Sequence, residues 1–219
     1  MLRENLEGLK EKLVESASLV EGMIEKSIRG LRERNQDLLS QVTDQEEPKE
    51  NELENAIDEI CIHLIACYQP HAKDLRTILM VLKMNNDLER IGDEAVNIAE
   101  SAMFLIDKPE VKPLIDIPRM AEESDMMLKD TLKSLINEDS RLAKEVCKRD
   151  DIVDGLRDQI LRELTTFMTS NPATIERSLR LIRVTRSLER IADLCTNICE
   201  DVIYMVEGRT IKHRFLEEH

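Results

Sequence analysis

The sequence contains very few aromatic residues, glycines and prolines. Of its 219 residues, two are Tyr, three are Phe and none is Trp, while Gly and Pro number 6 each. Strands favour aromatic and β-branched side chains, so this scarcity argues against a β-fold. Hydrophobic residues still make up 42% of the chain, which is enough for a packed core. The composition therefore predicts an all-α protein with long helices.

The sequence also lacks a long apolar segment. No stretch approaches about 18 uncharged apolar residues, so we expect no transmembrane helix. The first residues, MLRENLEGLKEKL, are charged throughout and do not resemble a secretory signal peptide. The 5 cysteines have no zinc-type spacing and are interpreted as free thiols packed inside helices, as in a reducing compartment. We therefore expect a cytoplasmic protein.

The net charge and the absence of several motifs narrow the range of possible functions. The 45 acidic and 31 basic residues give a formal net charge of −14, which repels phosphate backbones and attracts cations. Nucleic acid is therefore not expected as a partner. No P-loop, Ser/His/Asp order or Glu-x-x-His pair is visible, so neither a hydrolase nor a ferritin-like di-iron enzyme is indicated. No catalytic residues are predicted.

Six long helices are predicted from the apolar periodicity. In the first, apolar residues from Leu6 to Leu31 step by three or four positions, which is typical of one buried face. The predicted helices span about residues 3–34, 36–67, 72–106, 118–137, 139–170 and 172–207. Pro48 lies inside the second, where we expect a kink or a late start because proline interrupts the backbone hydrogen bonds.

Three prolines divide the chain in two. Pro109, Pro113 and Pro118 cannot continue a helix, so residues 107–118 are predicted to form a linker. Residues 1–106 and 119–208 then carry three helices each, the last of them ending at Gly208. Short loops join antiparallel neighbours, so each half is expected to be a three-helix bundle. Residues 209–219 are predicted to be a frayed tail.

Thirteen residues nearly recur 100 positions apart. Residues 88–100 read LERIGDEAVNIAE and residues 188–200 read LERIADLCTNICE, with eight identical positions. The identical positions include charged as well as apolar residues, so packing alone does not explain the repetition. For the second and fifth helices an offset of 103 matches apolar residues better, because it pairs Ile57 with Ile160.

Carboxylate and amide side chains form a stripe on the third helix that is repeated on the sixth. They lie four residues apart, and therefore one above the other, at Glu89, Asp93 and Asn97 and again at Glu189, Asp193 and Asn197. Carboxylates placed in this way repel each other, and a bound cation reverses the sign of that interaction. Oxygen-rich sites suit Mg²⁺, Mn²⁺, Ca²⁺ or iron.

The neighbouring helices offer matching rows. Asp150 and Asp154 lie on the fifth helix, and Glu47, Asn51 and Glu54 lie on the second. If these rows converge with the stripes, each half holds one metal site. The alternative is that the stripes are only solvated faces, because acidic pairs at this spacing are common in a chain with 45 acidic residues.

At these residues the chain resembles the PhoU family of phosphate-specific transport system accessory proteins. The resemblance covers essentially the whole chain and rests on LERIGD and LERIAD, on YQPHAKDLR at 68–76, on NPATIERSLRLIRVTRSLERIAD at 171–193 and on TNICEDVIYMVEG at 196–208. It implies two tandem three-helix bundles. It also implies a homodimeric negative regulator of the phosphate-starvation response, which links the ATPase of a phosphate ABC transporter to a membrane sensor histidine kinase.

The resemblance further implies where a metal is held. The family's E(D)-x-x-x-D motifs bind iron clusters in some members and Mg²⁺ or Mn²⁺ in others, and they fall here on Glu89–Asp93, Glu189–Asp193, Asp150–Asp154 and Glu47–Asn51. The chain departs from the pattern at Asn51, Asn97 and Asn197, where a neutral amide oxygen replaces a carboxylate. Two other functions stay open, a metal-dependent carboxylate enzyme and a helical scaffold without metal.

Overall fold

The computed structural model describes residues 2–208, and the regular elements in this range are helices. Their bounds are α1 Leu2–Glu33, α2 Gln36–Gln41, α3 Glu47–Tyr68, α4 Ala72–Leu105, α5 Asp116–Ile136, α6 Ser140–Cys147, α7 Asp150–Ser170 and α8 Ile175–Glu207. The all-α prediction is confirmed, and the six predicted helices are present although two of them are interrupted. Within the described range, no helix is both long and apolar enough to cross a membrane. The predicted tail, residues 209–219, lies outside the described residues.

The second predicted helix begins as α2 and passes through a π-helical segment, Val42–Glu46, before α3 begins. There the Glu47 N–H donates to the Val42 carbonyl, one residue further back than in an α-helix. Pro48 lies in the first turn of α3, where its missing N–H costs no helical hydrogen bond. The helix is thus interrupted just before Pro48, where a kink or a late start was predicted, but it begins at Gln36 and not late.

The fifth predicted helix is not continuous, and the single span of residues 139–170 is wrong. The chain turns between α6 and α7 at Lys148 and Arg149. The Arg149 guanidinium donates to Asp130 at 2.9 Å and to Glu123 at 3.2 Å, both on α5, which fastens the turn to the bundle. Asp150 then starts α7, where a negative charge is favoured by the helix dipole. The apolar periodicity continues across this turn, so the spacing of apolar residues does not reveal it.

The linker is shorter than predicted and is fastened to the second half. Its last proline, Pro118, lies in the first turn of α5. Lys112 is buried and donates to Asp116 at 2.7 Å and also to Glu163 on α7. Arg177, near the start of α8, donates to a linker carbonyl, that of Pro109, at 2.6 Å.

Each half is a bundle of three long helices, and the two halves share one core. The first comprises α1, α3 and α4, the second α5, α7 and α8, and α4 packs lengthwise against α8 at the centre. The buried apolar side chains of both halves form one continuous cluster, which includes the free thiols of Cys61, Cys195 and Cys199. Gly208 ends α8 with φ 70°, and its N–H donates to the Tyr204 carbonyl at 2.9 Å, as predicted.

Candidate carboxylate sites

Four carboxylates act on one another between α3 and α4, namely Glu50, Glu54, Glu89 and Asp93. Burial raises the pKa of Glu50 to about 7, and the charges of Glu89, Glu54 and Asp93 contribute to the rise. Burial also raises the pKa of Glu89, with further contributions from Asp93 and Glu54. Among residues 2–208, no Lys or Arg forms an ion pair with any of the four. This first cluster therefore concentrates negative charge without an ion pair, although the charge of Arg90 lowers the pKa of Glu89 in part.

Glu50 is the most deeply buried member of the first cluster. Its side chain is 3% exposed, and the Ser16 hydroxyl donates to its Oε1 over 3.5 Å. It packs over Gly92 of α4, where an added Cβ would lie 3.5 Å from the Glu50 Cγ. An offset of 103 residues pairs Glu50 with Val153, which is also buried. A carboxyl group thus takes a position that is apolar in the second half.

The second cluster lies between α7 and α8 and contains Asp150, Asp154, Glu189 and Asp193. Burial raises the pKa of Asp150 to about 6, and Asp193 is the largest contributor among the neighbouring charges. Burial raises the pKa of Asp193 as well, followed by the charges of Glu189 and Asp154. The two motifs predicted for this half therefore lie together.

Arg157 occupies the second cluster. Its guanidinium donates to Asp154 at 2.8 Å and to Glu189, and it lies 2.9 Å from Asp158. The hydrogen bond to Glu189 is the largest cause of its raised pKa. At the offset of 103 residues, Arg157 corresponds to Glu54. The first half therefore has a carboxylate where the second half has its own internal cation.

In the pair predicted on the second helix, the charge of Glu47 is not among those that raise the pKa values of Glu50, Glu54 and Glu89. Asn51 is exposed, and its backbone carbonyl accepts a hydrogen bond from the Asn55 side chain at 2.6 Å. Glu47 is half-buried at the first position of α3. The α3 residue whose charge raises the pKa of Glu89 is instead Glu54, about one helical turn after Asn51.

The amides of the predicted stripes do not extend the clusters. The Asn97 side chain donates to Glu94 at 3.2 Å, and its carbonyl oxygen accepts from Arg183 of α8. Asn197 is exposed. Sequence reasoning missed Glu50 and Arg157, although the offset of 103 residues contained a signal for both. At that offset Glu50 is paired with an apolar residue, Val153, and Arg157 is paired with a residue of opposite charge, Glu54.

The donors of the first cluster suit a hard cation, but they do not yet surround one. Within the described residues, no group of three or more His, Cys, Asp or Glu side chains is arranged to hold a metal ion. Carboxylate oxygens are the ligands that Mg²⁺, Ca²⁺ and Mn²⁺ prefer. Burial is the largest cause of the raised pKa values of Glu50, Glu54 and Glu89, and the charges of neighbouring carboxylates add to it. A cation would have to draw these side chains together as it binds.

Comparison with known proteins gives matches along the whole chain. The PhoU domain family matches residues 13–102 and again residues 117–202. A phosphate-specific transport system accessory protein PhoU homolog from Aquifex aeolicus is 41% identical over 217 residues, which is 99% of this chain and 98% of that protein. The accessory protein PhoU of Escherichia coli K12 is 32% identical over 208 residues, 95% of this chain and 86% of its own. The crystal structure of PhoU from Pseudomonas aeruginosa matches with a TM-score of 0.92 and 35% identity, over 95% of this chain and 100% of that one.

Proposed function

The chain belongs to the PhoU family, and from this premise we propose that it is a cytoplasmic negative regulator of the phosphate-starvation response that also modulates phosphate uptake. It acts without catalysis, as a homodimeric adaptor between the ATPase of a phosphate ABC transporter and a sensor histidine kinase. The observation that carries the proposal is the family match in both halves, over a chain whose relatives are named accessory proteins of phosphate transport.

The carboxylate clusters give the adaptor a means of responding to cations. A bound Mg²⁺, Mn²⁺ or iron ion supplies the positive charge that the first cluster lacks. Glu50 and Glu54 would hold it from α3, and Glu89 and Asp93 from α4. Without it these side chains repel each other, which disfavours close packing of the two helices. The packing of α3 on α4, and with it the surface offered to a partner, therefore depends on the cation.

Deletion of the gene tests the regulatory role. In a strain that lacks the protein, we expect a phosphate-starvation reporter to stay on in phosphate-rich medium, because the kinase is no longer held in its repressing mode. A plasmid copy of the wild-type gene is the control and should restore repression. Normal repression in the deletion strain would contradict the proposal.

Elemental analysis tests the metal site. Protein purified without chelator or affinity metal should contain a stoichiometric metal ion, and the Asp93→Asn, Asp193→Asn variant should lose it. The matched control is Asp37→Asn, Asp107→Asn, which removes two exposed carboxylates outside both clusters. If wild-type protein binds no metal even after incubation with Mg²⁺, Mn²⁺ or Fe²⁺, the clusters are not ligand sets. The helical scaffold without metal would then be the better interpretation.

A further inference from the structure

The last turns of α3 expose a face without charged side chains. Residues 60–72 contain no Asp, Glu, Lys or Arg, in a chain where 35% of the residues are charged. Ile62, His63, Ala66 and Cys67 are exposed on these turns, and their spacings of three and four residues place them on one side of the helix. The Ile62 side chain is 64% exposed. We call these four residues the uncharged face.

Cys67 differs from the other four cysteines. Cys61, Cys195 and Cys199 are buried and Cys147 is half-buried, as expected for thiols packed inside helices, whereas Cys67 is exposed. Packing therefore does not account for Cys67. A thiol that is open to solvent is available as a metal ligand.

Cys67 and His63 are spaced as two ligands of one metal ion. They lie four residues apart on α3, and the Cys67 Sγ is 3.6 Å from the His63 Nδ1. A tetrahedral zinc ion, with bonds of about 2.3 Å to sulfur and about 2.0 Å to nitrogen, holds these two atoms about 3.5 Å apart. Within residues 2–208, neither side chain has another hydrogen-bond or ion-pair partner. Without a metal the two atoms share a weak hydrogen bond, so they are already at ligand spacing before an ion binds.

One chain supplies only half of a tetrahedral ligand set. Among the described residues, no third His, Cys, Asp or Glu side chain completes a metal-binding group with this pair. The first carboxylate cluster does not reach it, because nine residues, or about 180° around the helix, separate His63 from Glu54. Structural zinc sites have four protein ligands. The other two ligands must come from outside the chain, and a second copy of the chain offers the same pair.

We propose that the uncharged faces of two copies of this chain meet around one Zn²⁺ ion, which His63 and Cys67 of each copy bind as a Cys₂His₂ set. Each thiol binds as a thiolate and releases its proton to solvent. The small side chain of Ala66 lets the two helices approach closely, and Ile62 of each copy is covered by the other. Thiolate and imidazole ligands select Zn²⁺ over Mg²⁺, whereas the carboxylate clusters suit hard cations. The inference rests on the homodimer of the proposed function and gives that homodimer a contact surface.

Zinc-dependent association tests the proposal. Purified full-length protein is freed of metal with a chelator, kept in millimolar Mg²⁺ to occupy the carboxylate clusters, and analysed by sedimentation velocity with and without Zn²⁺. We expect Zn²⁺ to lower the Kd of the dimer at least tenfold, with one ion bound per two chains. A dimer of equal strength without Zn²⁺ would overturn the zinc contact and leave the homodimer of the proposed function intact. A chain that stays monomeric with Zn²⁺ would overturn both.

Substitutions test the ligands and the surrounding surface separately. Cys67→Ser and His63→Ala should each abolish the response to Zn²⁺, whereas His71→Ala, which removes an exposed histidine at the start of α4, should retain it. Ile62→Lys should weaken the zinc-bound dimer tenfold or more, and Ile136→Lys, at an exposed isoleucine of α5, should not. A zinc response that survives the loss of either ligand would overturn the proposal.

Cobalt distinguishes this site from the carboxylate clusters. Co²⁺ in place of Zn²⁺ should give the strong visible absorption of a tetrahedral site and a thiolate-to-cobalt charge-transfer band, and Cys67→Ser should remove both. The Asp93→Asn, Asp193→Asn variant should keep both, because the clusters contribute no ligand to this site. Weak octahedral absorption without a thiolate band in the wild-type protein would contradict the Cys₂His₂ set.

Discussion

At the scale of single residues, the two carboxylate clusters differ through two substitutions on matching helices. At the offset of 103 residues, the first half has Glu50 and Glu54 where the second has Val153 and Arg157. The first substitution buries a carboxyl group, and the second removes the local counterion. The same pair of helices therefore carries uncompensated charge in one half and a salt-bridged network in the other.

Glu50→Gln should make stability less dependent on pH. The pKa of Glu50 rises from an ordinary 4.5 to about 7 on folding. Between these values the folded protein keeps a proton that the unfolded chain releases, so the free energy of unfolding falls as pH rises, by about 3 kcal/mol once pH exceeds the folded pKa. We expect the variant to exceed wild type by up to ~3 kcal/mol near pH 8 and to match it near pH 4.5, in urea unfolding.

The exposed Glu52 on the same helix provides the control, because Glu52→Gln should leave the pH dependence unchanged. A Glu50→Gln variant that unfolds with the same pH dependence as wild type would show that Glu50 keeps an ordinary pKa in the folded protein.

Arg157→Gln should convert the second cluster into one that needs an external cation. Loss of the guanidinium leaves Asp154, Asp158 and Glu189 without their partner. Because Asp154 and Asp158 are half-exposed, this should cost about 1 kcal/mol. Millimolar Mg²⁺ or Mn²⁺ should recover part of this loss, read as a rise in Tm that exceeds the rise in wild type. Arg162→Gln, on the same helix and without an ion-pair partner in residues 2–208, is the control. Equal metal responses in both variants would count against the idea.

At the scale of the helices, periodicity predicted the existence of each element but not its interruptions. The buried positions of α1, from Leu6 to Leu31, are those that the spacing of three and four indicated. The turn at Arg149 was not predicted, because the ion pairs that hold it join it to another helix, α5. The face that α3 turns towards α4 was missed for a related reason. It depends on packing over Gly92, which no pattern within α3 reveals.

Two glycines on neighbouring helices should respond to alanine in opposite ways. A Cβ at Gly92 would make only ordinary contact, 3.5 Å from the Glu50 Cγ, and the repeat has Ala192 at this position. Gly92→Ala should therefore stabilise the protein by about 0.5–1 kcal/mol through helix propensity. A Cβ at Gly30 would lie 2.5 Å from Cδ2 of the buried Leu39, so Gly30→Ala should destabilise by about 1–3 kcal/mol. Thermal or urea unfolding of both variants checks the signs.

At the scale of the whole molecule, the shared core joins the halves. The sequence indicated two bundles because the linker prolines and the repeat are local signals. It did not indicate that α4 and α8 would pack along their whole length, since the contacts of Lys83 and Arg183 join residues far apart in the chain. Contacts between helices were equally hard to predict at the carboxylate clusters. The predicted motifs on α7 and α8 lie together in the structure, and their metal binding stays a prediction, whereas the role of Arg157 emerged only from the packed helices.

Separation of the halves should therefore abolish independent folding. A fragment of residues 1–106 would expose the side of α4 that packs against α8 in the full chain. We expect the full chain to unfold in one cooperative urea transition and the fragment to show none by circular dichroism. A fragment that unfolds cooperatively would show that each half has a sufficient core of its own.

Arg157 also has a consequence for how the two halves respond to their surroundings. A guanidinium built into the chain is present at a fixed local concentration and cannot diffuse away, whereas an ion taken from solution follows the composition of the surroundings. The chain itself thus supplies the balancing charge of the second cluster, whereas under the proposed function the cluster with Glu54 would take it from the solution. A change in cation concentration would then act on the first half of the molecule and leave the second unchanged.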